Sequence, residues 1–92
     1  MFNSINWKDI EVEINNLSKL TKVNLSELND EYILLAHYGK YTISLNYDNL
    51  NEELILLMVL NKDWENPFME RRIQNLEYLK KMINEFIEYI TL

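Results

Sequence analysis

The sequence predicts an α+β domain: an N-terminal helix, a three-stranded antiparallel meander and a long C-terminal helix, in one unit over residues 1–92. Three observations carry that expectation. Trp7, Ile10, Ile14 and Leu17 recur at three- and four-residue spacing, which puts them on one helical face. Tyr41, Ile43, Leu45 and Tyr47 alternate with Thr42, Ser44 and Asn46, the period of a half-buried strand. Met69, Ile73, Leu76, Leu79, Ile83, Phe86 and Ile90 then return to helical spacing.

Each element has local signals. Asn6 is the expected N-cap of the first helix, with Asp9 three residues on at the positive end of the dipole. That helix should fade near Leu20, before the χ1-stiff Thr21 and Val23. Val23 and Leu25 read as a short extended piece, and SELND (residues 26–30) as a polar turn. The first strand is EYILLAH, residues 31–37, and the second is YTISLNY, residues 41–47. Between them lies Gly39, the only glycine of the chain, where a tight hairpin needs positive φ. After the polar DNLNE, seven successive apolar residues, Leu54 to Leu60, read as the third strand. Asn66-Pro67 reads as the start of the last helix, asparagine as cap and proline in the first turn.

Composition bounds the function classes. Apolar residues are 48% and charged residues 26% of the chain, too apolar for disorder. No cysteine is present, which excludes disulfides and thiolate zinc sites. The first ten residues lack a basic region followed by an apolar core, and the longest apolar run is far short of the roughly 20 residues that span a bilayer. A cytoplasmic location with no membrane partner is the expectation. The net charge of −6 is uneven: residues 1–66 hold eleven acids and five bases, while residues 67–92 hold four of each. Such a surface is repelled by phosphate backbones and attracted to basic partners. Direct nucleic-acid binding is therefore not expected.

The apolar run raises the question of what covers both of its sides. With YTISLNY as the central strand, one sheet face carries Tyr41, Ile43, Leu45 and Tyr47 and can be covered by two amphipathic helices. The opposite face carries Thr42, Ser44 and Asn46, flanked by Ile55, Leu57 and Val59, or by the opposite set of that run, on one side and by residues such as Ile33 and Leu35 on the other. It is an apolar surface with a polar stripe through its middle, and exposed patches of that kind mark contact sites. It can be covered by a second copy in a homodimer, by a partner protein, or by the long helix wrapping round. As one unbroken helix, residues 67–91 would run about 37 Å, overhanging a domain about 30 Å across.

Candidate chemistry is sparse. His37 is the only histidine and stands at a strand end before a turn. The acidic pairs Glu11/Glu13, Asp30/Glu31, Glu52/Glu53 and Asp63/Glu65 fall on turns, strand ends or an exposed helix face, where solvated charge is the simpler account than a raised pKa in a cleft. DNLNEE has oxygen ligands at close spacing but lacks the glycine and the length of a calcium loop. No catalytic residue, cofactor site or metal set is expected, and an enzyme is the least supported class. WENPF brings Trp64 and Phe68 onto the connection before the last helix, either as binding anchors or as a staple packing back onto the helix. Arg71 and Arg72, the only arginines, fall in the first turns of that helix. The dipole disfavours cations there, so carboxylates of this chain or of a partner should hold them.

A protein-binding module therefore fits best, with Glu11, Glu13, Ile55, Leu57, Val59, Trp64, Phe68, Arg71 and Arg72 as the candidate partner-binding residues. In one version the chain is a small acidic inhibitor that occupies a basic, nucleic-acid-binding surface of a partner protein. Its element order and acidity are similar to those of some small acidic phage anti-CRISPR proteins, a likeness of architecture and charge that no motif carries. In a second version it is a dimeric chaperone or adaptor using the apolar sheet face. Type III secretion chaperones resemble it broadly in being helix-and-sheet dimers, though this chain is shorter and lacks their later strands. An antitoxin or immunity protein is a third version with the same acidic-surface logic.

Overall fold

The computed structural model describes residues 2–22, 24–28 and 31–92. Among these, five strands form one antiparallel meander in sequence order: β1 (Glu11–Asn15), β2 (Leu34–Tyr38), β3 (Tyr41–Asp48), β4 (Glu53–Leu60) and β5 (Met69–Ile73). The helix α1 (Leu76–Thr91) follows. Short 3-10 turns at Phe2–Ser4, Leu17–Thr21 and Leu25–Leu28 complete the described chain. The fold is α+β as expected, and the three expected strands are the central three of the five.

The N-terminal helix is not formed. Residues 11–15 pair with β2 instead, Val12 opposite Ala36 and Ile14 opposite Leu35 with a bulge between them, and this edge pairing wins over the helical spacing of Trp7, Ile10, Ile14 and Leu17. The segment's β-branched residues also suit a strand better than a helix. Asn6 does cap, but it caps a turn: its side chain accepts from the Lys8 amide at 3.0 Å, and Lys8 has φ +53°. Leu25 lies in a 3-10 turn and not in an extended piece, while Val23, Asn29 and Asp30 lie outside the described residues.

The long C-terminal helix is likewise divided. Asn66 belongs to a turn, its amide donating to the Asp63 carbonyl, and Met69 to Ile73 pair with β4 as an edge strand. Arg71 and Arg72 therefore sit on β5, not in a helix. Asn75 is the true cap, extended at φ −120°, with its side chain accepting from the Glu77 and Tyr78 amides at 2.8 and 3.2 Å. At 16 residues α1 is about 24 Å long, and the overhang of an unbroken helix disappears in a molecule whose longest extent is 34 Å.

The hairpin between β2 and β3 is a two-residue turn with φ +57° at Gly39, and Tyr38 pairs with Tyr41 across it. The register then sets Tyr41, Ile43, Leu45 and Tyr47 opposite Leu60, Met58, Leu56 and Leu54. This face joins Leu79, Met82, Ile83, Phe86, Ile87 and Ile90 of α1 in the main core, together with Leu17, Leu20 and Leu28 of the 3-10 turns. Burying each such leucine or isoleucine is worth roughly 1.5–3 kcal/mol. The apolar run Leu54–Leu60 is thus covered on one face by α1, and β3 and β5 pair with its two edges.

Ile33 does not lie on the outer face. Its amide donates to the Leu45 carbonyl at 2.8 Å while Leu34 is the register partner of Leu45, so two residues face one. This bulge sends both Ile33 and Leu34 into the core, where neither is exposed. Tyr32 is thereby left beside Asn46, whose side chain donates to the Glu31 carbonyl at 3.1 Å.

Candidate interaction surface

The sheet face away from α1 has the composition expected of it. Thr42, Ser44 and Asn46 lie opposite Val59, Leu57 and Ile55 of β4, and Leu35 and His37 of β2 flank Ser44 and Thr42 on the other side. Ile55 and Leu57 are half-buried, but Leu35 is nearly buried and Val59 has no exposed surface. Both of these stand outside the helix-side core, so α1 does not cover them. The ring of Trp64 is packed on that of Tyr32, centroids 6.3 Å apart. The connection after β4 therefore reaches back to the residues that precede β2. Ser44 is fully buried on this face, and its hydroxyl oxygen has no hydrogen-bond partner among the described residues.

Charged groups line both margins. At the β1 side a second bulge, between Val12 and Ile14, brings Glu13 onto the outer face. There its Oε1 lies 2.9 Å from His37 Nε2, while His37 Nδ1 lies 3.3 Å from Thr42 Oγ1. A neutral imidazole satisfies both contacts when Nε2 carries the proton and the Thr42 hydroxyl donates to Nδ1. Carboxylate, imidazole and hydroxyl stand in the order of a nucleophilic triad. Thr42, however, is buried in the middle of a sheet at 5% exposure, leaving no room for a reacting carbonyl, so the series acts as a clamp tying the β1 edge to β3.

At the β5 side Arg72 is the hub. Its Nη1 donates to Glu53 at 2.7 Å and to Asp48 at 3.4 Å, and its Nε donates to Glu70 at 3.2 Å. These bonds, that to Glu53 foremost, raise its pKa further above the ordinary arginine value. The Asp48 carboxyl is held below the usual aspartate value, first by the Asn51 side chain and then by the Asn51 and Leu50 amides and Arg72, against some opposing burial. Arg72 is thus held by carboxylates of its own chain, though on a strand and not at the expected helix start, and those carboxylates are engaged within the chain. Arg71 faces the helix side, opposite Leu56, and donates to the Glu70 carbonyl at 2.8 Å.

WENPF divides between the two faces. Trp64 goes to Tyr32 on the outer side. Phe68 packs 5.7 Å from Tyr89 of α1 and 6.4 Å from Tyr41, so it does pack on the helix, though at the helix's far end and not as an N-terminal staple. Glu11 and Glu13 are exposed on β1, whose other edge is unpaired among the described residues. The structure thus gathers Ile55, Leu57 and Val59 on one face with Trp64 and Arg72 at its borders. Glu11 lies at the opposite sheet edge, Phe68 at the sheet's end and Arg71 on the other side. Tyr32, Tyr41 and Tyr89 were missed by sequence reasoning, because an isolated tyrosine carries no spacing that names its partner.

Among the described residues no three carboxylate or imidazole groups converge as metal ligands, and no helix is long and apolar enough to cross a membrane. Set against protein families, curated proteins and solved structures, the chain matches none.

Proposed function

We propose that this chain is a non-catalytic protein-binding domain that inhibits a partner by occupying its basic, nucleic-acid-binding surface. The observation that carries the proposal is the outer edge of β1, unpaired among the described residues, where Glu11 and Glu13 are exposed and the exposed Asp9 lies just before the strand, although Glu13 also contacts His37. Three of the other acids, Asp48, Glu53 and Glu70, share the single positive charge of Arg72, which ties their carboxylates within the chain while offsetting only one of them. Acidic side chains on an edge strand, together with its bulge, discourage pairing with another strand and favour contact through charge. The likeness in element order to small acidic phage inhibitors no longer supports the proposal, because the N-terminal helix on which it rested is a strand. Acidity alone remains.

The test is capture of partners on the immobilised chain at low and high salt, followed by charge reversal, Glu11→Lys with Glu13→Lys. Enrichment of basic nucleic-acid-binding proteins, lost both at high salt and in the double variant, supports the proposal. Partners that are retained by the double variant remove β1 from it.

The half-exposed Ile55 and Leu57 favour a second reading, a homodimer or adaptor joined through the outer face. The burial of Val59 and Leu35 leaves less apolar surface for this than an open face would offer.

A further inference from the structure

We infer that the ring cluster of Tyr41, Phe68 and Tyr89 is a docking surface for an arginine side chain of a protein partner. The inference rests on the proposed function and names a place where a basic partner is gripped. Three segments remote in sequence bring these rings together: the start of β3, the connection before β5 and the last turns of α1. Their centroids lie 5.7, 6.4 and 6.5 Å apart. Tyr41 packs against the core, while Phe68 and Tyr89 remain 45% and 47% exposed. The cluster is therefore anchored on its inner side and open on its outer side, as binding anchors are.

The electrostatics favour a cation. Lys40 Nζ stands 5.8 Å from the Tyr41 ring centroid, so a cation of this chain already uses one ring face. Glu85 precedes Tyr89 by one helical turn and shares its exposed face, and Glu88 adjoins it. Neither carboxylate has an ion-pair partner among the described residues. The last turn of α1 has no basic residue, leaving the negative end of the helix dipole uncompensated. A guanidinium can lie flat on Tyr89 or Phe68 and donate to carboxylates or helix carbonyls at once, which an ammonium does less well.

The test is an NMR titration of the whole chain with an oligoarginine peptide, and with an oligolysine peptide of equal length, at low salt. The expected result is shifts centred on the Phe68 and Tyr89 rings, with oligoarginine binding tighter. Tyr89→Ala should weaken it about two- to fivefold, and Tyr89→Phe should restore it. Thermal melting checks that both variants fold. Binding that shifts the β1 resonances and ignores Tyr89→Ala overturns this inference and leaves the proposed function standing. Absence of binding by either peptide overturns both. Ring shifts that depend on protein concentration without peptide mean that a second copy occupies the cluster, which also overturns the inference.

Discussion

Trp64 and Tyr32 meet with ring centroids 6.3 Å apart although one follows β4 and the other precedes β2. The pair is the only aromatic contact outside the Tyr41 cluster among the described residues. A tilted pair of this kind contributes about 0.5–1.5 kcal/mol beyond its buried area. A double-mutant cycle of Trp64→Ala and Tyr32→Ala, read by denaturant unfolding, should give a coupling energy of about that size. Additive single effects would mean that the rings do not support each other in solution.

Ser44 has a fully buried hydroxyl without a partner. Such a group carries a desolvation penalty of roughly 1–3 kcal/mol, so Ser44→Ala should raise stability by about 1 kcal/mol. Loss of stability on that change would reveal a bond to water or to a neighbour that the hydroxyl makes in solution.

Asn75 closes the N-terminus of α1 with two bonds from its side-chain oxygen. Asn75→Ala should cost about 1 kcal/mol, whereas Asn66→Ala should cost much less. The comparison separates the observed helix start from the one suggested by Asn66-Pro67, and equal effects would contradict it.

Asp48 has a depressed pKa in the folded chain, chiefly through Asn51. The sign follows from linkage: its stabilising contribution is present above the unfolded value of about 3.9 and is lost as pH falls through the lower folded value. Asp48→Asn should therefore flatten the acid limb of the stability curve and leave the alkaline limb alone. Carboxyl-detected NMR titration reads the same group directly, and an ordinary aspartate midpoint would contradict the depression.

Leu57→Glu puts a charge on the half-buried centre of the outer face. If this face joins two copies, light scattering across a dilution series should show a dimer for the wild-type chain and a monomer for the variant. A wild-type monomer at every concentration removes the homodimer reading, and a variant that still dimerises removes this face from it.

Much of the fold was legible in local pattern. The clean alternation of residues 41–47 beside Gly39 produced the expected strand and hairpin, and the two-residue turn then fixed the pairing of its neighbours, Tyr38 with Tyr41. The helical stripe from Leu76 to Ile90 became the buried face of α1 almost residue for residue. The outer face was legible in part: strand period puts one alternate set of the run Leu54–Leu60 beside Thr42, Ser44 and Asn46, and the register with β3 decided that the set is Ile55, Leu57 and Val59. The contact of Trp64 with Tyr32 was not, since nothing near Trp64 in the chain points to Tyr32.

The two errors of type share one cause. Met69 and Ile73 are four residues apart, a spacing that suits one face of a helix and one face of a strand alike, and Ile10 and Ile14 have the same spacing although a bulge in β1 sends Ile14 to the outer face while Ile10 stays in the core. Local pattern determined that these segments were amphipathic, that Leu54–Leu60 needed cover on both faces, and that the chain carried its acid in its first two-thirds. Only tertiary structure decided that residues 11–15 and 69–73 would be strands. Their hydrogen-bond partners are offered by the open edges of β2 and β4, and an extended segment gains those bonds only once the central hairpins exist.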